Sequence, residues 1–427
     1  MAQILVCSVP NPGHVNSMLT IGGRLAALDH KILFHTGELF RNEVEARGLK
    51  FVGLSGKANY DYRIFPDRSL LPPGLERLNL IREAVFSDTL PDQYRGLQEI
   101  LDARAIDLIV IDTLFYGVLP LLMESRSTRP PVICCGINPM LLTGIDAGPS
   151  AGPARTPREQ QAVATANRNF LKALDPFAVT LTNRLKEISA ASFAGLPFNC
   201  FYSLPDQFLQ FSIPEFEFVP SDMPAKVHLV GPLPPEAGAT FGEPSWWHDL
   251  DGSRPVVLVT QGTLANANLT DLIVPTLTTL ADEDVLVIAA TGKSDSGIST
   301  VNHNARIVPF VPFDHLLPKV DVFLTNGGYG AVNQALTFGV PIVAAGQTED
   351  KGWVSQRVEW SGVGVNLRTS TPSQVQIRTA VHEVLSNPSY RSSARALSHK
   401  IAQSDALGAV ETTVRRLLQK GVPEGKA

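Results

Sequence analysis

A histidine and an aspartate stand where two apolar stretches of this chain end. His14 lies in a turn of proline, asparagine and glycine that follows the apolar residues 4–9. Asp112 closes the apolar residues 108–111. A neutral imidazole can take a proton from a hydroxyl, and a carboxylate on its other ring nitrogen fixes the tautomer and stabilises the imidazolium. Considered alone, a turn residue and a helix N-cap explain the two positions better, so a catalytic pair stays one of two hypotheses.

A pair of glycines later in the chain could bind a phosphate group. Gly327 and Gly328 follow the apolar, β-branched residues 320–325 and precede a predicted helix over residues 329–338. Glycines at the start of a helix let backbone N–H groups approach an anion, and the helix dipole favours negative charge there. An ordinary strand–helix turn explains the glycines alone about equally well.

A dinucleotide-binding fold is an alternative for the same turn. Glu349 and Asp350 lie about 20 residues beyond the glycines, where an acidic residue would bind a ribose. That fingerprint normally occupies the first strand–helix turn of its domain, whereas several predicted strands precede this one. The residues around the turn are therefore needed to distinguish a dinucleotide-binding fold from another phosphate site.

The elements that must position these residues alternate along the chain. Short apolar runs and helical stretches follow one another with short connections, which is typical of a doubly wound α/β fold. The strands are predicted at residues 4–9, 31–36, 51–54, 108–112, 132–136, 256–260, 285–290, 307–311, 320–325 and 342–345. A helix over residues 158–191 is expected to break into two pieces at Asp175-Pro176. Ligands of open α/β sheets bind outside the carboxyl ends of strands, where both His14 and Asp112 are expected.

The length of 427 residues suits two domains of about 200 residues each. Seven prolines between residues 219 and 255 indicate the connection between them. We therefore predict an N-terminal domain over residues 1–218, a proline-rich linker over 219–255 and a C-terminal domain over 256–400. A last helix and a tail are expected over residues 401–427.

Composition excludes several classes of function. A net charge of −5 argues against a nucleic-acid or anionic-membrane partner, and 44% hydrophobic residues indicate a well-buried globular protein. The chain shows no signal-peptide pattern and no apolar run of about 18 residues, so we expect a cytoplasmic protein without stable membrane insertion. The cysteines fit no metal or disulfide spacing, which predicts buried thiols in a reducing compartment. They are Cys7, Cys134, Cys135 and Cys200.

Several short motifs stand in order around the glycine turn. They are Phe310-Val311-Pro312-Phe313, Thr325-Asn326-Gly327-Gly328-Tyr329-Gly330-Ala331, Gln334, Gly339-Val340-Pro341, and Gln347 with Asp350-Lys351. Their order and spacing resemble the nucleotide-sugar signature of GT-B glycosyltransferases of the UDP-glycosyltransferase family. The resemblance covers nearly the whole chain. It implies the GT-B fold, with two doubly wound, Rossmann-like parallel-sheet domains facing across a cleft and a last helix that crosses back to the first domain.

The N-terminal turn resembles the same family. Pro12-Gly13-His14-Val15-Asn16 is similar to the family's Gly-His-Val-Asn-Pro segment, whose histidine is the catalytic base. The family's acid at the place of Asp112 pairs with that base, so the resemblance implies a His14–Asp112 dyad. Residues 257–263 resemble the family's strand ending in Gly-Ser or Gly-Thr, near the donor phosphates.

The resemblance also implies a set of donor-binding residues. They are Gly13, Gly262, Thr263, Phe310, Val311, Phe313, Asn326, Gly327, Gly328, Gly330, Ala331, Gln334, Glu349, Asp350 and Lys351. Some of them depart from the family pattern: Asn326 replaces a histidine that contacts the pyrophosphate, and Gln334 replaces a glutamate that binds the ribose hydroxyls. Lys351 stands for a glutamine, and we hypothesise that its charge partly replaces that of the missing histidine.

The implied reaction is an inverting sugar transfer, expected from UDP-glucose, to a hydroxyl of a small apolar acceptor such as a phenol, flavonoid or polyketide. The acceptor pocket is expected along residues 60–86 and 140–201. The scheme requires neither a metal nor a cofactor beyond the UDP-sugar co-substrate, and we expect a monomer or weak dimer. A nucleotide-sugar epimerase of the same fold and a non-catalytic nucleotide-sugar binder stay open, with an NAD-linked dehydrogenase as a more distant alternative.

Overall fold

The structure, a computed structural model, describes residues 1–64, 83–188, 197–235, 241–262, 266, 268–293, 296–298 and 302–420. The chain forms two compact units. The first contains Met1–Phe211, Phe218–Leu233 and Asp405–Ala427, and the second contains Ser212–Glu217 and Pro234–Ser404. The proline-rich residues 219–255 are thus divided between the units, and a short segment before them, Ser212–Glu217, belongs to the second unit.

The first unit is built on a parallel sheet of seven strands. The strands are β1 (Gln3–Cys7), β2 (Lys31–Thr36), β3 (Lys50–Gly53), β4 (Leu108–Asp112), β5 (Val132–Gly136), β6 (Gln207–Gln210) and β7 (Val227–Leu229). Their spatial order is β3-β2-β1-β4-β5-β6-β7. Successive residues of β1 point into different cores, Ile4 into one and Leu5 into the other, because helices cover both faces of the sheet.

The described residues of the first unit that precede Ser212 form six helices. They are α1 (Pro12–Ala26), α2 (Arg41–Ala46), α3 (Leu90–Ala103), α4 (Leu119–Leu122), α5 (Pro157–Ile188) and α6 (Pro197–Ser203). Helix α1 begins with a proline, which has no N–H to leave unbonded, and buries one face formed by Val15, Met18 and Leu25. Short 3₁₀ turns lie at Glu38–Phe40, Gly56–Ala58, Tyr62–Ile64 and Tyr116–Val118, with one π turn at Glu83–Ser87.

The break predicted at Asp175-Pro176 is wrong, because α5 continues through Pro176. Phe170, Leu174, Phe177, Leu181 and Leu185 are spaced by three or four residues and are all buried. Proline removes one helical hydrogen bond, but burial of five large side chains on one face outweighs that local cost.

The second unit is built on a parallel sheet of six strands. The strands are β8 (Val256–Thr260), β9 (Leu286–Ala290), β10 (Ala305–Val308), β11 (Val322–Thr325), β12 (Ile342–Ala344) and β13 (Gly364–Asn366), in the spatial order β10-β9-β8-β11-β12-β13. The helices are α7 (Ile273–Thr279), α8 (Phe313–Leu316), α9 (Tyr329–Thr337), α10 (Lys351–Trp360), α11 (Gln374–Ser386) and α12 (Pro388–Ala402). Short 3₁₀ turns lie at Ser245–Asp249, Leu269–Asp271 and Leu317–Lys319. Both units therefore have the doubly wound α/β fold that was predicted.

The last helix, α13 (Ala406–Lys420), belongs to the first unit. Its buried residues Val410 and Val414 share a core with Val15 and Met18 of α1. Arg24 of α1 is ion-paired with Glu411 at 2.5 Å. Among all the described residues, no helix is long and apolar enough to cross a membrane.

In each sheet the strand order reverses at one point. Strands β1 and β4 are neighbours in the first sheet, and β8 and β11 are neighbours in the second, although each pair is separated in sequence by other elements. The connections leave such a pair toward opposite sides, which opens a crevice at the carboxyl ends where ligands of α/β sheets bind. The candidate site residues should therefore follow these four strands.

A buried histidine makes the stability of the first unit depend on pH. His35 of β2 is 1% exposed, and its Nδ1 lies 3.0 Å from the carbonyl oxygen of Val52 on β3. Burial lowers the pKa of His35 to about 4, although the hydrogen bond with Val52 acts in the opposite direction. The folded chain therefore holds a neutral imidazole at pH values where an unfolded chain would already be protonated.

We predict that this unit loses stability as the pH falls from 6.5 to about 4. In that window the unfolded state binds more protons than the folded state, so the stability lost amounts to about 3 kcal/mol. His35→Gln, which keeps a donor for Val52 and does not titrate, should flatten the pH dependence of the urea midpoint followed by circular dichroism. The exposed His303 provides a control, since His303→Gln should leave the dependence unchanged. Equal slopes for His35→Gln and the wild type would contradict the prediction.

Candidate active site

His14 and Asp112 meet at the crevice of the first sheet. His14 lies in the first turn of α1, directly after β1, and Asp112 is the last residue of β4. Nδ1 of His14 lies 3.4 Å from Oδ1 of Asp112. Among the described residues Nδ1 has no partner with hydrogen-bond geometry, so the pair stands at ion-pair distance. Catalytic pairs are often this long without substrate and tighten when it binds.

The Asp112 carboxylate is completely buried and held by three donors. The Ser8 hydroxyl donates to Oδ2 at 3.0 Å, the Val9 amide to Oδ2 at 2.9 Å, and the Leu114 amide to Oδ1 at 2.7 Å. An ionised carboxylate only accepts hydrogen bonds, so every contact suits that form. The carboxylate is therefore fixed in orientation with one oxygen directed at His14.

The buried Asp112 carboxylate affects the pKa values of neighbouring side chains. Burial and, second, the charge of Asp112 raise the pKa values of the Cys7 thiol and the Tyr60 hydroxyl above their usual range. A hydrogen bond with the Asn11 side chain acts in the opposite direction on the pKa of Tyr60. Both groups stay neutral, which leaves Asp112 as the local negative charge that can stabilise an imidazolium.

Ser8 was not predicted to belong to the site, and Tyr60 was predicted only as the first residue of the acceptor segment 60–86, not as a neighbour of Asp112. Ser8 could have been found, because it is the first residue after β1 and lies at the same sheet edge as Asp112. No local pattern marks Tyr60, which lies in a loop after β3. All four cysteines are buried free thiols, as predicted.

The glycine turn lies at the crevice of the second sheet. Gly327 and Gly328 connect β11 to α9, and Gly328 is the N-cap of that helix. Gly327 has φ +83°, and a Cβ there would lie 3.0 Å from Oγ of Ser355. Both the left-handed backbone and the close approach require glycine.

The start of α9 has the features of an anion site. Because its N-cap is glycine, no N-cap side chain can bond the first helical amides, those of Tyr329, Gly330 and Ala331. Gly330 is exposed and Ala331 half-buried, while Gln334 is half-buried one turn further along the helix. The N–H groups of the first helical turn and the helix dipole favour a bound phosphate at this end.

Residues after β8 complete this edge. Gly262 has φ +71°, and a Cβ there would lie 3.6 Å from Oδ1 of Asn326. The Asn326 side-chain amide donates to the carbonyl oxygen of Gln261, so the loops after β8 and β11 are bonded to each other. The predicted residue Thr263 lies outside the described part of the chain.

Lys351 is the first residue of α10 and is largely buried. Its ammonium is ion-paired with Glu349 and lies 3.3 Å from Oγ1 of Thr348. A positive charge offered to a phosphate from here is therefore offset by the carboxylate. Glu349 itself has φ +51°, an uncommon conformation for a residue with a Cβ, and Asp350 is the N-cap of α10.

The remaining predicted residues fall into different environments. Phe310 is 79% exposed, so its ring has a free face on which a base could stack. Val311 is buried in the core, and Phe313 packs edge-on against Phe323 with ring centroids 5.7 Å apart. Gly13, the only predicted donor residue in the first unit, is exposed next to His14.

Asp249 and Asp251 have the Asp-x-Asp spacing of a carboxylate pair that could bind a metal, but Asp249 already has a partner. Nε of Arg306 donates to its Oδ2 at 2.7 Å. The amide of Ser253 donates to Oδ1 of Asp251 at 2.9 Å. Within the described residues, no three histidine, cysteine, aspartate or glutamate side chains are grouped so that they could hold a metal ion.

The chain is similar to several known proteins. Residues 274–412 match the family described as erythromycin biosynthesis protein CIII-like, C-terminal domain. UDP-glycosyltransferase 2 of Phaeomoniella chlamydospora is 34% identical over 439 residues, which cover 97% of this chain and 95% of that protein. UDP-glucosyltransferase B1 of Starmerella bombicola is 33% identical over 434 residues, which cover 97% of this chain and 98% of that protein.

Among solved structures, the calicheamicin glycosyltransferase CalG4 superposes with a TM-score of 0.73. The match covers 99% of this chain and 100% of that structure at 21% identity. It therefore shows a shared fold.

We predict that Gly327→Ala destabilises the protein and Gly330→Ala does not, although both add one methyl group to the same turn. Gly327→Ala places a Cβ on a left-handed backbone and against Ser355, which should cost about 1–3 kcal/mol and weaken UDP binding. At Gly330 a Cβ would meet no protein atom within 4 Å, so alanine should leave the unfolding midpoint nearly unchanged. Thermal unfolding and calorimetric titration with UDP measure both effects, and equal behaviour of the two variants would contradict the prediction.

Proposed function

This chain belongs to the UDP-glycosyltransferase family, and from that premise we propose that it transfers glucose from UDP-glucose to a hydroxyl of a small apolar acceptor. It is a glycosyltransferase of the natural-product type. Glucose is proposed because a relative that is 33% identical over nearly its whole length is a UDP-glucosyltransferase. The observation that carries the proposed chemistry is the contact between His14 and the fully buried Asp112 at the carboxyl ends of β1 and β4.

His14 acts as the general base in the proposed mechanism. Nε2 takes the proton of the acceptor hydroxyl as the hydroxyl oxygen attacks the anomeric carbon. Asp112, which faces Nδ1, keeps the ring in the tautomer with a free Nε2 and stabilises the imidazolium that forms. Ser8, Val9 and Leu114 hold the carboxylate in place during this change of charge.

The leaving group is UDP. The bond from the anomeric carbon to the acceptor oxygen forms while the bond to the diphosphate oxygen breaks, so the electron pair and the developing charge go to UDP. Attack from the face opposite UDP inverts the configuration in one displacement, through an oxocarbenium-like state. The first amides of α9 stabilise the diphosphate charge, and the exposed ring of Phe310 stacks on the base. No step in this scheme uses a metal.

The acceptor is proposed to be a phenol, as in flavonoids and aromatic polyketides. A phenol has a pKa of about 10, far below that of an aliphatic alcohol, so a histidine can deprotonate it in the transition state. Apolar side chains lie close to the site, since Leu114, Leu141 and Phe201 line a small cavity with the polar groups of Thr113 and Asn138. The chemical character of this lining, rather than the cavity volume of about 30 Å³, supports an apolar acceptor that carries a few hydroxyls.

We predict that His14→Ala lowers acceptor-dependent UDP release by about 10²- to 10⁴-fold, which is the usual contribution of a general base. UDP affinity should stay unchanged, because the predicted phosphate turn belongs to the second unit. The assay mixes UDP-glucose with a panel of phenols, macrolides and sterols. His399→Ala, which removes an exposed histidine of α12, is the matched control and should retain full activity.

Each other outcome has its own meaning. Acceptor-dependent release that survives in His14→Ala would keep the transfer but overturn the assignment of the base. A change in the sugar of UDP-glucose incubated alone, followed by NMR, would favour the epimerase. UDP binding without release for any acceptor or donor sugar would favour a non-catalytic binder, which the replacements at Asn326 and Gln334 leave open.

A further inference from the structure

A short segment inserted into the second unit carries a glutamate into its core. Residues Ser212–Glu217 belong to the second unit, whereas β6 and β7 on either side of them belong to the first. Ile213 and Phe216 are buried in the same core as Val332 of α9 and Val354 of α10. These apolar contacts bring the carboxylate of Glu217 between the two helices that begin at the predicted donor motifs.

Glu217 binds both helices at once. The hydroxyl of Tyr329, the first residue of α9, donates to Oε1 at 2.5 Å. Nε of Arg357 on α10 donates to Oε2 at 2.7 Å, and Nη1 donates to the carbonyl oxygen of Trp353 at 3.1 Å. Each carboxylate oxygen is thus assigned to a different helix, and the side chains of Glu217 and Arg357 are 0% exposed.

Stability alone does not account for this arrangement. Removing two charges from water costs free energy that their attraction does not always recover, and apolar side chains of similar volume often stabilise a core equally well. An ionic bridge adds geometric specificity, because a carboxylate and a guanidinium bond well only in a narrow range of distances and angles. The bridge therefore restricts how α9 and α10 are placed relative to each other.

The two bridged residues lie close to the glycine turn. Tyr329 follows Gly328 directly, so the position of its side chain sets the direction of the first amides of α9. Helix α10 packs behind the same turn: a Cβ on Gly327 would lie 3.0 Å from Ser355 and 3.3 Å from the carbonyl oxygen of Lys351. A shift of either helix would move the amides that are proposed to bind the diphosphate.

We infer that Glu217 is a positioning residue for the nucleotide-sugar site, and that it acts through Tyr329 and Arg357 to hold the amino end of α9 against α10. Glu217 does not touch the donor. It sets the geometry of the amides that do, and this role rests on the donor site of the proposed function. Loss of the bridge should therefore weaken nucleotide binding without changing the KM for the acceptor.

The test is Tyr329→Phe, which removes only the hydroxyl and keeps the ring in the core. Its Kd for UDP, measured by calorimetric titration, should rise about tenfold, since one hydrogen bond to a charged group is lost. The KM for the acceptor should stay unchanged. Tyr390→Phe is the matched control, because it removes a tyrosine–glutamate hydrogen bond between α11 and α12 in the same unit. Its Kd for UDP should equal that of the wild type.

A second variant separates positioning from loss of folding. Glu217→Gln keeps the size of the side chain but leaves Arg357 as a buried cation without its carboxylate, so it should weaken UDP binding more than Tyr329→Phe does. If Glu217→Gln does not fold, the Kd of Tyr329→Phe for UDP tests the inference by itself. Comparing the unfolding midpoints of Tyr329→Phe and Tyr390→Phe shows whether a change in Kd follows a change in stability.

Three results would overturn the inference. They are a UDP Kd for Tyr329→Phe equal to that of the wild type, an equal rise in the Tyr390→Phe control, and no UDP binding by the wild type. Normal UDP binding that weakens in Tyr329→Phe supports the inference even if no acceptor is ever glycosylated. That last combination would overturn the proposed transfer and leave the positioning role in place.

Discussion

In both units of this enzyme, the chemistry depends on the reversal of strand order at the centre of a parallel sheet. Strands β1 and β4 in the first unit, and β8 and β11 in the second, run side by side while their connections leave in opposite directions. Backbone groups and side chains just beyond these strand ends are therefore free to face a ligand. His14, Asp112 and the glycine turn all occupy such positions.

The crevices of the two units favour opposite charges. In the first, a carboxylate is buried among donors and directed at one imidazole, which suits the formation of a cation during proton transfer. In the second, the amino end of α9 presents backbone amides and a positive helix dipole, which suits a diphosphate. Backbone groups do not depend on side-chain identity. The proposed diphosphate site therefore does not require the histidine and the glutamate of the family pattern, where this chain has Asn326 and Gln334.

In each unit a buried carboxylate bonds separate elements of the fold to one another. Asp112 and Glu217 are both completely buried, and each accepts bonds from groups far apart in the sequence. Such carboxylates are costly to desolvate and are stabilised only when their donors are correctly placed. They therefore tie together elements that apolar packing alone would allow to slide. In the proposed mechanism Asp112 fixes the orientation of the base, and Glu217 is inferred to fix two helices behind the proposed diphosphate site.

Local patterns in the sequence were enough to predict ten of the thirteen described strands, the glycine turn and the two doubly wound units. They did not predict β6, β7 and β13, which are only three or four residues long. Apolar β-branched runs specify buried strands, and glycine is favoured where the backbone is left-handed and closely packed, as at Gly327. Only the tertiary structure decided that α5 continues through Pro176, that the Lys351 ammonium is paired with Glu349, and that Glu217 joins Arg357 across 140 residues of sequence. The physical reason is that packing and buried ion pairs depend on neighbours in space, which no local pattern encodes.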